Sequence, residues 1–189
     1  MFSKKVFLAI KKATKWHKGQ TRKDGDLPYI VHPYSVAMIL SKYTENEDVV
    51  IAGLLHDVLE DVDPGLQEQI KEMFGEKVLQ YVKEVSEVKE VNGEEVSWEE
   101  RKRMYNEGLR SDSQEALMIS TADHINNWQD ILNEYEEIGD KAFAGFLRPI
   151  GTRIENFKEV HSIIMERLDN PIKEELDSTM KKVLEVIKY

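Results

Sequence analysis

A histidine and an aspartate stand side by side, at His56 and Asp57, in an otherwise aliphatic segment of the chain, IAGLLHDVLED. An imidazole and a carboxylate in such surroundings are costly to bury unless something pairs with them. Two more carboxylates, Glu60 and Asp61, follow one helical turn later. Any fold of this chain must therefore supply a partner for a buried polar pair, and a divalent cation would satisfy both members at once.

Composition bounds the class of protein. The chain has 189 residues, enough for one compact domain with a core, and we expect a single domain over residues 1–189. No apolar run approaches the ~20 residues of a membrane span, and the lysine-interrupted N-terminus lacks the pattern of a signal peptide. There is no cysteine, which excludes disulfides, thiolate metal sites and a cysteine nucleophile. We expect a cytoplasmic protein with no membrane partner.

The charge balance limits the partners. The formal net charge is −10, which argues against broad binding to a nucleic acid polymer. A small anionic substrate remains compatible with it, because a local basic cluster or a metal ion overrides the global field. The sequence does not reveal the oligomeric state.

Apolar residues recur with a helical period through nearly the whole chain, which predicts an all-α fold. We expect about eight to ten helices. The first covers roughly residues 3–17, the second begins around Pro33, the third covers about 48–61, and a long one covers about 113–132. Ser97 with Glu100 has the pattern of a capping box. Glycine and proline predict breaks near residues 64–65, 75, 92–93, 139, 149 and 170–171.

Four side chains from distant segments have the character of metal ligands: His32, His56, Asp57 and Asp123. Each alone is more typical of a satisfied core histidine, a helix cap or an ion-pair partner. Together they favour a metal site, because four unrelated buried polar groups would each need a separate partner. Two imidazoles and two carboxylates suit Mn²⁺, Fe²⁺ or Zn²⁺.

Helical spacing adds further groups to this candidate site. His56 and Glu60 share a helix face, as do Asp57 and Asp61, and Asp123 shares another face with Asn127. Glu60 and Asp61 then lie one turn from the candidate ligands, where they are able to hold or deprotonate an attacking water. A nearby dication lowers the pKa of water toward 7.

Four motifs carry a resemblance to a known family: HKGQTRKDGDLPYIVHP, LLHDVLED, EERKR and TADHINN, in this order. The chain resembles the HD superfamily of metal-dependent phosphohydrolases. It is most similar to the hydrolase domain of RelA/SpoT-type enzymes and to stand-alone small alarmone hydrolases, which remove the 3′-diphosphate of (p)ppGpp. The resemblance implies an HD-type helical bundle and hydrolysis of (p)ppGpp or a related nucleotide.

The resemblance also implies roles for particular residues. It implies Mn²⁺ held by the four candidate ligands, with Glu60 and Asp61 positioning or activating the water. It implies contacts to the nucleotide from a further set: Arg22, Lys23, Lys102, Asn127 and Arg153. Arg101 and Arg103 flank Lys102 in the basic segment of the family. Arginine suits this role because its planar guanidinium binds phosphate bidentately.

The chain departs from the family at several substrate-side positions: Ser120 replaces a usual lysine, Gln129 an arginine, Trp98 a basic residue and Phe157 a tyrosine. Three alternatives therefore stay open beside (p)ppGpp hydrolysis. The first is a phosphomonoesterase or phosphodiesterase that acts on another nucleotide. The second is a non-catalytic nucleotide-binding module of the same fold, and the third is a helical scaffold with an incidental polar core.

Overall fold

The computed structural model describes residues 2–22, 27–91 and 93–188, and within these ranges the fold is a bundle of α-helices. Nine α-helices lie in this described part of the chain: α1 Lys4–Trp16, α2 Val31–Leu40, α3 Glu47–Leu55, α4 Gln67–Phe74, α5 Glu76–Val85, α6 Trp98–Leu109, α7 Gln114–Ile138, α8 Ile150–Arg167 and α9 Ile172–Val186. The prediction of an all-α fold is confirmed.

Sequence signals explain where several helices begin and end. Ser97 caps α6 by accepting a hydrogen bond from the backbone N–H of Glu100 at 3.2 Å, as the capping-box pattern predicts. The long helix α7 reaches Ile138, six residues beyond the predicted end at Leu132, and stops at Gly139, whose φ is 63°. A positive φ suits glycine, so the helix ends where glycine permits the chain to turn.

The third helix is not continuous, and the prediction of a single helix over 48–61 is wrong. The α-helix ends at Leu55, and a π-helical turn follows over Val58–Val62. In this turn the backbone N–H of Asp63 donates to the carbonyl of Val58 at 3.0 Å, five residues back. Such wide turns are often found at functional sites, because they re-aim the side chains that flank them.

A small antiparallel hairpin stands between α5 and α6. Its strands are β1 Glu90–Val91 and β2 Glu94–Glu95. Gly93 between them has a φ of 83°, in agreement with the predicted turn there. The residue just before β1 is Lys89, which reaches back to the π-helical turn and so brings the hairpin to the side of the candidate site.

The core lies where α3 packs against α1, α2, α5 and α7. Most of the side chains of α3 are buried, including Ile51 and Leu55, which are fully enclosed. The N-terminal part of α7 is buried in the same way, from Ala116 to Ala122. These buried segments lead directly to His56 and Asp57, which follow α3, and to Asp123 in α7, so they bring polar side chains of the site into the interior. Among the described helices, none combines the length and the apolarity needed for a bilayer crossing.

Replacing Gly53 with alanine is expected to lower the free energy of unfolding by about 1–3 kcal/mol, which urea denaturation measures. A Cβ at this position would overlap Cδ1 of Leu40, a fully buried side chain with little room to move. Gly108→Ala in α6 is the matched control, because its Cβ would meet nothing nearer than Asp112 Oδ2 at 3.5 Å. Equal stability of both variants would contradict a tight α2–α3 contact.

Candidate metal centre

The four predicted metal ligands meet at the centre of the bundle. His32 lies in the first turn of α2, His56 and Asp57 follow α3, and Asp123 lies in the middle of α7. The Nε2 atoms of the two histidines are 3.2 Å apart. Asp57 Oδ2 lies 3.1 Å from His56 Nε2, and Asp123 Oδ1 lies 3.0 Å from His32 Nε2. Ligand atoms of His32, His56 and Asp57 all fall within 4.8 Å of one another.

The outer nitrogens of both imidazoles face oxygen acceptors. His32 Nδ1 is 2.6 Å from Asn126 Oδ1, and His56 Nδ1 is 2.8 Å from the backbone carbonyl of Gly53. Because a carbonyl oxygen only accepts, each Nδ1 carries the hydrogen and donates it. In a neutral imidazole the Nε2 atom then presents a lone pair, so two nitrogen lone pairs and two carboxylates converge. This donor set fits a divalent transition metal ion.

The electrostatics of the four groups favour positive charge at the same point. Burial disfavours an imidazolium at His56, but Asp57 and Asp123 outweigh it and raise its pKa well above the usual value. Burial also opposes ionisation of Asp57, yet His56 and His32 lower its pKa. The pKa of Asp123 is lowered too, against burial, by His32 and His56. A cation at this point would take the place of the protons.

Glu60 and Asp61 lie in the π-helical turn beside the ligands, in different surroundings. Glu60 is mostly buried, and its Oε2 accepts a hydrogen bond from the backbone N–H of Glu87 at 3.0 Å. Burial, together with the charges of Glu87 and Asp57, raises the pKa of Glu60 to about 7. Asp61 is more exposed and receives a hydrogen bond from Lys89. Glu60 is thus basic enough to take up a proton near neutral pH.

A cavity of about 800 Å³ opens next to the metal ligands, with His32 and Asp61 in its wall. Its apolar lining comes from the loop before α2, the start of α2, α7 and the segment before α8, at Leu27, Val31, Ile131, Ile138 and Phe146. Its charged lining is mixed. Among the described residues, two arginines, Arg22 and Arg153, stand against four carboxylates: Asp61, Asp130, Glu134 and Glu137. This volume suits a small molecule with an apolar ring and phosphates.

Three of the predicted substrate residues line this cavity. Arg22 forms an ion pair with Asp130 at 2.7 Å and donates to Asn127 Oδ1 at 3.3 Å. Asn127 in turn donates to Asp123 Oδ1 at 2.6 Å, so it links the arginine to a metal ligand. The guanidinium of Arg153 packs on the ring of Phe146, 4.4 Å from its centroid.

The other basic candidates lie elsewhere. Lys23 falls outside the described residues. Lys102 forms an ion pair with Glu87 and is not among the described residues that line the cavity. Arg103 pairs with Glu100 and Glu107 on the exposed face of α6. In the basic segment of α6, Lys102 and Arg103 are thus already paired with glutamates, whereas the Nε atom of Arg101 is buried without a hydrogen-bond partner among the described residues.

Sequence reasoning missed two residues that hold the centre together. Asn126 accepts the hydrogen bond that sets the tautomer of His32, and Tyr29 donates to Asp57 at 2.6 Å. Both lie in motifs already singled out, TADHINN and LPYIVHP. The signal available was a polar side chain three residues from a candidate ligand, which is one helical turn or a tight loop away.

Comparison with known proteins identifies the family of this chain. A family model described as HD domain matches residues 9–145, more than half of the chain. The GTP pyrophosphokinase of Streptomyces coelicolor is 37% identical over 119 residues, which are 63% of this chain and 14% of that protein. A guanosine-3′,5′-bis(diphosphate) 3′-pyrophosphohydrolase of Drosophila melanogaster is 36% identical over 118 residues, 61% of this chain and 63% of that protein. The chain thus spans less than two thirds of these relatives.

Solved structures match over a larger share of the chain. A metazoan ortholog of SpoT, described as hydrolysing ppGpp, superposes with a TM-score of 0.77 at 28% identity and covers 96% of this chain and 97% of its own. A Listeria monocytogenes protein superposes with a TM-score of 0.73 at 27% identity, over 82% of this chain and 99% of its own. The fold around the candidate metal centre is therefore shared along nearly the full length.

Proposed function

Because the chain belongs to the HD domain family, we propose that it is a metal-dependent pyrophosphohydrolase that removes the 3′-diphosphate of (p)ppGpp. The observation that carries this proposal is the convergence of two Nε2 lone pairs and two carboxylates at the edge of a cavity of about 800 Å³. The Drosophila relative carries this activity in its name, and the metazoan structure is described as hydrolysing ppGpp. A cytoplasmic location is part of the same proposal.

We propose Mn²⁺ as the ion, held by His32, His56, Asp57 and Asp123. Mixed imidazole and carboxylate donors support this choice over Mg²⁺ or Ca²⁺, which prefer oxygen ligands alone. When bound, the cation supplies positive charge that polarises a phosphoryl oxygen and eases deprotonation of the attacking water. Asn126 and the carbonyl of Gly53 keep both imidazoles in the tautomer that this binding needs.

The two carboxylates of the π-helical turn divide the remaining work. Glu60, whose pKa is raised to about 7, is the proton acceptor for the attacking water, because a general base is most effective near the working pH. Asp61 has one oxygen bound by Lys89 and the other near a tyrosine hydroxyl, so it orients rather than accepts. Water adds to the phosphorus that is bonded to the ribose 3′ oxygen, and Glu60 takes a proton from it. The bond between this phosphorus and the 3′ oxygen breaks, the 3′ oxygen takes up a proton to become the hydroxyl of GDP or GTP, and pyrophosphate is released.

Substrate contacts are assigned to the cavity. Arg22, Arg153 and Asn127 line it beside the metal ligands and offer charged and amide donors to phosphate or sugar oxygens. Lys23 and Lys102 remain candidates for the outer phosphates, by resemblance alone. The apolar side of the cavity suits the face of a nucleobase.

The test is turnover of ppGpp by the purified protein with Mn²⁺, with the products separated by anion-exchange chromatography. We expect equimolar GDP and pyrophosphate. Release of inorganic phosphate would identify a phosphomonoesterase instead, and binding without any product would identify a non-catalytic nucleotide-binding module.

A second candidate function is hydrolysis of a different, less highly charged nucleotide. Among the described residues of the lining, four carboxylates stand against two arginines, a net negative balance that is unusual for a polyphosphate site. Ser120 stands where the family usually has a lysine. It is buried and hydrogen-bonded to Tyr105 at 2.6 Å, so this position does not supply the positive charge of a lysine. A panel of phosphorylated nucleotides decides between the two candidates by kcat/KM.

Replacing Asp130 with asparagine is expected to lower KM for ppGpp by about 2–5-fold, measured in steady-state kinetics. The variant frees Arg22 from a 2.7 Å ion pair and removes one negative charge from the cavity lining. Asp177→Asn is the matched control, because Asp177 also forms an ion pair, in this case with the surface residue Lys181, but does not line the cavity. An unchanged KM would show that Arg22 does not contact the substrate.

A further inference from the structure

One tyrosine hydroxyl stands between a metal-ligand carboxylate and the second carboxylate of the π-helical turn. Tyr29 lies in the loop before α2, and its hydroxyl oxygen is 2.6 Å from Asp57 Oδ2 and 3.0 Å from Asp61 Oδ2. Both oxygens are acceptors, so the single phenolic proton is directed into the gap between two negative groups. The hydroxyl thereby offsets the repulsion that would otherwise turn these carboxylates apart.

The aromatic ring of Tyr29 is held on several sides. The ring of His17 stacks on it at 5.1 Å between centroids, and the guanidinium of Arg22 lies 5.9 Å from its centroid. The ring of His32 packs against it in a T-shaped arrangement, with 5.9 Å between the centroids. A ring fixed in this way keeps its hydroxyl in one place, which a freely rotating side chain would not.

The loop that carries Tyr29 is also tied to the π-helical turn through its backbone. The N–H of Tyr29 donates to the carbonyl of Gln20 at 2.9 Å, and the side-chain amide of Gln20 donates to the carbonyl of Asp61 at 2.7 Å. Lys89 binds the remaining side-chain oxygen of Asp61. The orientation of the Asp61 carboxylate is thus set by two groups, one charged and one neutral.

We propose that Tyr29 is a positioning residue, which acts through Asp61 and Asp57 to aim the Asp61 carboxylate at the reacting water. The inference rests on the proposed hydrolytic function and adds a residue to it. Tyr29 would touch neither the phosphorus nor the leaving group, so its removal should affect the chemical step more than substrate binding. The same hydroxyl, through Asp57, should also strengthen metal binding.

The experiment compares Tyr29→Phe with the unaltered protein. The variant keeps the ring and its stacking on His17 and loses only the hydroxyl. At saturating Mn²⁺ we expect kcat to fall by about 10–100-fold while KM stays within about twofold. Mn²⁺ affinity, measured from the free-ion electron paramagnetic resonance signal without substrate, should weaken. Tyr43→Phe, which loses a hydroxyl bonded to Glu175 at 2.7 Å, is the matched control and should leave kcat, KM and Mn²⁺ affinity unchanged.

A double-mutant cycle with Asp61→Ala tests whether Tyr29 acts through Asp61. If it does, removing the hydroxyl in the Asp61→Ala background should lower kcat much less than it does alone. Unchanged kcat and Mn²⁺ affinity in Tyr29→Phe would show that the hydroxyl has no role beyond packing. A rise in KM alone would show that it contacts the substrate instead. Either result overturns the proposal.

The readouts also separate this inference from the proposed function. Failure of the unaltered protein to hydrolyse ppGpp would reject the function. The Mn²⁺ titration would still decide the link to Asp57, because an affinity equal to that of the unaltered protein would overturn the role of Tyr29 at the metal centre.

Discussion

Replacing His56 with alanine is expected to abolish retention of the metal and to lower kcat for ppGpp by about 10³-fold or more. The imidazole supplies one of four converging donors, and its Nε2 is 3.2 Å from that of His32 and 3.1 Å from Asp57 Oδ2. Without it the remaining groups include two carboxylates and a single nitrogen, a set that binds a transition metal more weakly. Loss of the ion removes several kcal/mol of transition-state stabilisation, which corresponds to a rate loss of this size.

Two measurements separate metal loss from unfolding. Elemental analysis of the purified protein gives the metal content, and a thermal melt with and without added Mn²⁺ gives the stabilisation by binding, about 2.7 kcal/mol at a hundredfold excess over Kd. We expect this stabilisation in the unaltered protein and its loss in the variant. His161→Ala is the matched control, because His161 pairs with Asp177 between α8 and α9, away from the centre. Full turnover with no retained metal would reject a metal-dependent mechanism.

The grouping of the four candidate ligands could be anticipated from sequence because four buried polar groups would each otherwise need a separate partner, and because the motifs that carry them resemble those of one family. His32 and Asp123 are far apart along the chain, yet a polar side chain on a buried helix face has few places to go other than the core of the bundle. The all-α fold could be predicted from the helical period of the apolar residues. For these residues the sequence pattern and the packing of the bundle lead to the same arrangement, so a single sequence is enough to predict it.

The π-helical turn could not be anticipated in this way. The residues VLEDV over 58–62 are compatible with a continued α-helix, and no glycine or proline marks the change. The turn coincides with contacts that bridge distant segments. Glu60 accepts from the backbone of Glu87, and Lys89 binds Asp61 across 28 positions. Tertiary contacts of this kind override helix propensity, and no periodic pattern encodes them.

The ion pairs of the cavity could not be predicted either, because they too join distant segments of the chain. Arg22 resembles a phosphate-binding residue, but Asp130, which is 108 positions away, neutralises it in the structure. A basic residue read from sequence alone is counted as free, whereas the fold decides which carboxylate it meets. Among the described residues, the negative balance of the lining therefore depends on which carboxylates the fold places beside Arg22, and it bears directly on substrate choice.

Replacing Glu60 with glutamine is expected to lower kcat by about 10²–10⁴-fold while the metal is retained, because the variant keeps the shape of the side chain and loses its basicity. Metal content and steady-state kinetics measure the two effects on the same preparation. Glu185→Gln, an exposed position on α9, is the matched control and should leave both unchanged. An unchanged kcat in Glu60→Gln would show that another group is the general base.

The pH dependence of kcat tests the same assignment more closely. A base works when deprotonated, so kcat should fall as the pH drops through the pKa of Glu60. Burial, with Glu87 and Asp57, raises this pKa to about 7, and a neighbouring dication would lower it, so we expect the midpoint at or below pH 7. Lys89 also lowers the pKa of Glu60, and Lys89→Met should therefore move the midpoint to higher pH. A midpoint that does not move in Lys89→Met, or that persists in Glu60→Gln, would mean that the titrating group is not Glu60.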